Sequence, residues 1–141
     1  MKKIFISSDH AGYKLKELIK LHLDKKKINY NDLGPYNDNR VDYPDYAHKV
    51  AKNVKKAKHH VGILVCGSGM GMNIAANRYK NIRAAQCFNL KSTKLSRLHN
   101  DANIITLGSR LLSKNIALKC VNIFLSTKFE GGRHLKRIKK I

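Results

Sequence analysis

Val61-Gly62-Ile63-Leu64-Val65-Cys66-Gly67-Ser68-Gly69-Met70-Gly71 is the stretch from which the rest of the chain is read. Its first six residues are apolar without alternation, the pattern of a strand covered on both faces. Such a strand needs helices above and below it, so one run predicts both a strand and an α/β layering around it. The glycines at 67, 69 and 71 then turn the chain sharply into a helix expected to reach Asn77.

The flanking sequence keeps alternating. Upstream, Lys3-Ile4-Phe5-Ile6-Ser7-Ser8 reads as a short strand, and a helix follows with Ala11, Leu15, Leu18, Ile19 and His22 on one face. Ile28 to Leu33 reads as a weaker strand ended by Gly34-Pro35, and Asn37 to Val41 as a polar loop. Pro44 suits the first turn of a helix running to about Lys58, with Ala47, Val50, Ala51 and Val54 inward. Downstream come a strand from Ile82 to Phe88, a helix from Lys91 to Asn100, a strand from Asn103 to Leu107 and a helix from Ser113 to Leu125. Ile116, Ala117, Cys120 and Phe124 give that last helix its core face. Five strands separated by helices predict one Rossmann-like, doubly wound, three-layer α/β domain over residues 1–141, with a five-stranded parallel sheet. Ligands in such sheets bind at the carboxyl ends of the strands, so the reactive residues are expected there or in the basic tail.

Composition narrows the function classes. The 43% of hydrophobic residues excludes a disordered tail, and no apolar run approaches the ~18 residues needed to span a bilayer. Met1-Lys2-Lys3-Ile4-Phe5 lacks the apolar run of a signal peptide. Cys66, Cys87 and Cys120 are odd in number and far apart, which fits a reducing cytoplasm rather than a disulfide framework. The net charge of +20 invites a nucleic-acid reading. However, the excess is mostly lysine spread along the chain, with Lys25-Lys26-Lys27 and Lys55-Lys56 at helix ends. The chain has no tryptophan, few aromatics and no zinc spacing, so a basic nucleic-acid-binding domain is the weaker alternative.

The residues that can do chemistry cluster around the opening stretch. Its glycine loop, with a helix N-terminus behind it, suits negative charge. It is no dinucleotide fingerprint, because position 72 is Met, and no P-loop, because Gly-Lys-Ser/Thr is absent. Cys66 ends the strand beside this loop, where a thiol can shift toward thiolate. Cys87 and Cys120 fall within apolar patterns and read as core. Asp9 and His10 close the first strand; Asp9 could also be a plain N-cap. The remaining histidines lack metal-ligand spacing with a cysteine, so no metal is expected. In Glu130-Gly131-Gly132-Arg133-His134-Leu135-Lys136-Arg137, a helix would project Arg133 and Arg137 from one face as a phosphate clamp, which Arg110 could join.

These segments resemble a known family. Ser8-Asp9-His10-Ala11-Gly12, Asp42-Tyr43-Pro44, Cys66-Gly67-Ser68-Gly69-Met70-Gly71, Ile74-Ala75-Ala76-Asn77, Leu95 to Asp101, Leu107-Gly108-Ser109-Arg110 and Glu130 to His134 follow in order the pattern of the type B ribose-5-phosphate isomerases, whose relatives act on allose 6-phosphate and galactose 6-phosphate. The resemblance, over about residues 3 to 137, implies an aldose–ketose isomerase of the pentose phosphate pathway. It implies a homodimer or dimer of dimers with sites shared between subunits, an enediol mechanism, and neither metal nor organic cofactor. By matching position, Cys66 is the carbon base and Ser68 supports it. The amides of Gly67, Gly69, Met70 and Gly71 hold the enediolate oxygen. Asp9 handles hydroxyl protons, and His99 opens the sugar ring. His10, Arg110, Arg133 and Arg137 hold the phosphate, with segment 130–141 completing the site, and Tyr43 and Asn100 line the sugar. Some relatives replace the cysteine by a glutamate six residues on; Cys66 with Met72 indicates the cysteine variety. The retained set favours ribose 5-phosphate over the six-carbon phosphates.

Overall fold

A computed structural model describes residues 1–141. The chain runs β1 (Ile4–Ser8), α1 (Tyr13–Lys25), β2 (Asn31–Asp32), α2 (Tyr43–Val54), β3 (Val61–Cys66), α3 (Met70–Ala76), β4 (Ala84–Gln86), α4 (Leu90–Asn100), β5 (Ile104–Gly108), α5 (Lys114–Ser126) and α6 (Arg133–Ile138). All strand pairs are parallel, in the order β2-β1-β3-β5-β4. The expected five-stranded doubly wound α/β domain is therefore the fold.

Strand periodicity divides the core into two layers. Along β3, Val61, Ile63 and Val65 join Ile19 and Leu23 of α1 and Cys120 and Phe124 of α5 on one face. Leu64 and Cys66 join Ala47, Val50, Ala51 and Val54 of α2 and Met72 of α3 on the other. All six residues of β3 are buried, as an unbroken apolar run requires. The two edge strands are shorter than their apolar runs. β2 keeps only Asn31 and Asp32, opposite Phe5 and Ile6, while Ile28 and Tyr30 turn into the core without pairing. A strand with one neighbour has half the ladder bonds to hold it, so edges shorten first. α2 stops at Val54, four residues before Lys58, where its apolar face runs out.

α1 contains a residue that apolar patterning alone misplaces. Lys16 is fully buried. Its Nζ donates to Asp32 Oδ1 at 2.8 Å and to the Pro35 carbonyl at 2.7 Å, and it lies 5.5 and 5.7 Å from the ring centroids of Tyr13 and Tyr36. Lys20 binds the other carboxylate oxygen at 2.7 Å. Burial alone raises the Asp32 carboxyl, but hydrogen bonds from Lys16, Lys20 and the Gly34 amide outweigh it and hold it below the usual carboxylate range. A depressed carboxyl contributes stability that is complete above its unfolded pKa and is lost as pH falls through the folded value. Removing one partner of a buried pair strands the other charge, at a cost of about 3–5 kcal/mol. Asp32→Asn is accordingly expected to lower urea stability by about 3 kcal/mol and flatten its acid dependence, with Lys16→Met costing less. Asp32→Asn unfolding at the wild-type urea midpoint would refute this.

Three other acids have basic or hydroxyl partners. Asp101, in the left-handed conformation at the end of α4, accepts from Arg97 at 3.0 Å and Arg83 at 3.2 Å. Glu17 pairs with Lys20, and Asp24 accepts from the Tyr30 hydroxyl. The chain has only nine acids against 29 lysines and arginines, and Asp32, Glu17 and Asp101 are each paired with two basic side chains.

Candidate active site

The strand order reverses between β1 and β3, the crevice where doubly wound sheets bind ligands. Register puts Ser8 beside Val65 and Cys66 beside Gly108, so the residues that follow all three strands emerge side by side. They surround a cavity of about 390 Å³ whose walls include Asp9, His10, Tyr43, Cys66, Ser68 and Arg110. Gly67 and Gly71 line it as well.

Each group is held locally. Asp9 Oδ1 accepts from the Gly12 amide at 2.9 Å, which braces the turn before α1; the N-cap of that helix is Gly12, not Asp9, and Asp9 also lines the cavity. His10 Nδ1 lies 3.2 Å from both the amide and the carbonyl of Val41, tying it to the loop that leads into Tyr43. Cys66 is 4% exposed, and its Sγ accepts from the Gly69 amide at 3.1 Å. Gly69 sits at φ +80°, where a side chain is strained. At Gly71 a Cβ would stand 2.6 Å from the Tyr43 ring, so the glycine admits that ring to the site wall. The Met70 amide donates to Ser68 Oγ at 3.2 Å, and the Ser68 carbonyl accepts from Gln86 Nε2 at 2.9 Å. Two amides of the loop thus bind its own Cys66 and Ser68, a narrower anion cradle than consecutive inward amides would give. Gln86 is a brace that sequence reading missed. Arg110 is exposed and reaches over Gly67.

His99, Asn100, Arg133 and Arg137 are not among the residues around this cavity. The expectation that reactive residues gather at the carboxyl ends of the strands therefore fails for His99 and Asn100. α4 returns antiparallel to the strands, so its last turn reaches the amino edge of the sheet, opposite Cys66. The tail follows it there. The Glu130 amide donates to the Leu98 carbonyl at 3.1 Å, and α6 forms as expected with Arg133 and Arg137 exposed, four residues apart. Leu135 and Ile138 help close a separate cavity of about 510 Å³ at that edge, beside Lys55, Ile82 and Arg83. At the same edge the His99 and His134 rings stack at 4.2 Å with 11° between planes, and Glu130 Oε2 lies 3.8 and 3.9 Å from their Nε2 atoms. Burial, reinforced by His99, pushes the His134 imidazole below its ordinary pKa. Linear spacing hid this trio, because 30 intervening positions separate His99 from Glu130 in the chain.

The other two cysteines are core residues. Cys87 and Cys120 are buried, and burial pushes both thiols up. No helix is long and apolar enough to cross a membrane.

Residues 4–141 match the family model described as Ribose/Galactose Isomerase. The chain is 42% identical over 141 residues to ribose-5-phosphate isomerase B of Escherichia coli, covering 100% of this chain and 95% of that protein. It is similar to the crystal structure of ribose-5-phosphate isomerase B from Mycoplasma genitalium with bound ribulose-5-phosphate, at TM-score 0.94 and 45% identity, covering 99% and 93% of the two chains. The Thermotoga maritima ribose 5-phosphate isomerase structure is 50% identical at TM-score 0.94, covering 98% and 95%.

Proposed function

Since the chain belongs to the ribose/galactose isomerase family, we propose that it is a ribose-5-phosphate isomerase, interconverting ribose 5-phosphate and ribulose 5-phosphate through an enediolate, with Cys66 as the carbon base. The observation that carries this reading is Cys66 lining the crevice cavity together with Asp9, its Sγ accepting the Gly69 amide at 3.1 Å.

In the aldose-to-ketose direction, His99 of the partner subunit gives a proton to the ring oxygen while Asp9 accepts the O1 hydroxyl proton, and the furanose opens to the aldehyde. The Cys66 thiolate then removes the C2 proton and charge develops on O1, beside the glycine loop. Asp9 moves a hydroxyl proton from O2 to O1, and the Cys66 proton returns to C1. Ser68 supports the thiolate side of this exchange. General acid–base groups contribute about 10²–10⁴-fold each, and losing one oxyanion donor costs about 10²–10³. His10 and Arg110, with Arg133 and Arg137 of the partner subunit, bind the phosphate, while Tyr43 and Asn100 of the partner subunit flank the sugar. Anchoring that end lets binding energy act on the reacting end. No metal or organic cofactor enters any step.

A homodimer, or a dimer of dimers, follows from the same reading: Cys66 and His99 stand at opposite edges of one sheet, so a complete site draws on two chains. The three free cysteines fit a reducing cytoplasm.

A coupled assay with ribose 5-phosphate, allose 6-phosphate and galactose 6-phosphate tests the substrate. The highest kcat/KM is expected for ribose 5-phosphate; a six-carbon phosphate turning over better overturns the preference, and no turnover of any overturns the activity. Arg133→Ala and Arg137→Ala are each expected to raise KM about tenfold or more with less change in kcat, the loss of a charge-assisted phosphate contact. Unchanged ribose 5-phosphate binding in both variants would remove the tail from the phosphate site.

A further inference from the structure

We infer that Arg83 is a positioning residue for ring opening: it clamps the end of α4 and so sets where His99 enters the cavity of a second subunit. The inference rests on the reading of His99 as the ring-opening acid. Arg83 directly precedes β4, and its backbone is joined to Asn103 in both directions. Its amide donates to Asn103 Oδ1 at 2.8 Å, and its carbonyl accepts from the Asn103 amide at 3.0 Å. From that anchor the guanidinium reaches the two residues that follow His99. Nε donates to the Asn100 carbonyl at 2.9 Å and to the Asp101 carbonyl at 3.1 Å. Nη2 donates to the Asp101 carbonyl at 2.9 Å and to Asp101 Oδ2 at 3.2 Å.

The last carbonyls of a helix have no partner within it, and a cation beside them also suits the helix dipole. Arg83 satisfies the carbonyl at Asn100, and the Glu130 amide satisfies the one at Leu98. Arg97 takes the other carboxylate oxygen of Asp101 at 3.0 Å and reaches the Thr127 carbonyl at 3.2 Å. Asp101 sits at φ 44°, a backbone state that a non-glycine residue keeps only where its surroundings hold it. The two arginines are that hold. His99 is the contrast: its side chain is 37% exposed and its ring is stacked only on that of His134. The backbone that Arg83 grips therefore decides where this imidazole stands. Arg83 does not line the crevice cavity, so its effect on the sugar runs through α4.

The test separates ring opening from the carbon chemistry. Ribose 5-phosphate is mainly a furanose, whereas ribulose 5-phosphate has its O5 esterified and stays open-chain. Only the first substrate needs His99. Arg83→Met keeps the stem and removes every donor. It is expected to lower turnover of ribose 5-phosphate by about 10²-fold, the loss that about 1 Å of misplacement causes. Exchange of the ribulose 5-phosphate C1 proton with solvent deuterium should fall far less, by about threefold, because Cys66 is untouched. Asn100, carried on the same turn, flanks the sugar in both reactions, so the excess loss with ribose 5-phosphate belongs to His99. Arg83→Lys, which retains a charged donor and is the milder change for folding, should show the same bias at smaller amplitude. On a His99→Asn background, Arg83→Met should add less than about twofold to the loss with ribose 5-phosphate, since one residue acts through the other. Equal losses in both reactions, an undiminished effect on the His99→Asn background, or unchanged ribose 5-phosphate turnover overturns the inference and leaves the isomerase reading standing. A wild-type protein that isomerises no sugar phosphate overturns that reading, and the inference with it.

Discussion

Cys66→Ala is expected to fold and assemble as the wild type does and to lose nearly all isomerisation, by about 10⁴-fold, the upper range for one acid–base group. Cys66 lines the crevice cavity and its sulfur accepts a backbone amide, so the substitution removes a proton acceptor while leaving β3 and its layer intact. The same change at Cys87 or Cys120 reverses the pattern. Those thiols are 1% and 0% exposed, and burial pushes both up, so their loss should cost about 1 kcal/mol of stability and little rate. Iodoacetamide should inactivate by labelling Cys66, and bound sugar phosphate should protect it. Exchange of the ribose 5-phosphate C2 proton with solvent at the wild-type rate in Cys66→Ala would remove this sulfur from the mechanism and turn attention to Asp9, the carboxylate in the same cavity.

The second large effect comes from mixing two defective chains. Cys66→Ala destroys the carboxyl-edge half of the site and His99→Asn the amino-edge half. If each site takes one half from each subunit, co-expression restores one intact site in every mixed dimer. Random pairing makes half of the dimers mixed, so about a quarter of wild-type activity should return in the ribose-to-ribulose direction, far above either variant alone. If a single chain carried the whole site, the mixture would do no better than the average of its two parents.

The topology behind that experiment is encoded in the alternation of strands and helices along the chain. β3 and α2 were legible because their signals are periodic: a continuous apolar run, and Ala47, Val50, Ala51 and Val54 at helical spacing, all buried as expected. The carboxyl-edge half of the site followed, since Asp9, Cys66 and Arg110 end three strands that lie side by side. His99 was placed at the wrong edge although the alternation itself carries the answer: a residue ending a helix that precedes a strand lies where that strand begins. Two features had no such signal. Lys16 resembles any helical lysine until Asp32 and the Pro35 carbonyl, distant in sequence, close over it. His134 and Glu130 were visible in the tail motif, but their meeting with His99 depends on how α6 settles against α4.

The commitment of the acids inside the fold has a consequence for the molecule in solution. With Asp32, Glu17 and Asp101 each bound to two basic side chains or shared between them, few carboxylates remain to offset the exposed lysines. The compensating charge must come from the ion atmosphere. Mutual repulsion of the lysines weakens as the Debye length shortens, from about 30 Å at 0.01 M to about 10 Å at 0.1 M. The buried pair at Lys16 is largely sheltered from that screening. Dissolved anions thus act as a diffuse component of the native state, and dilution of salt strains the surface while leaving the interior pair untouched.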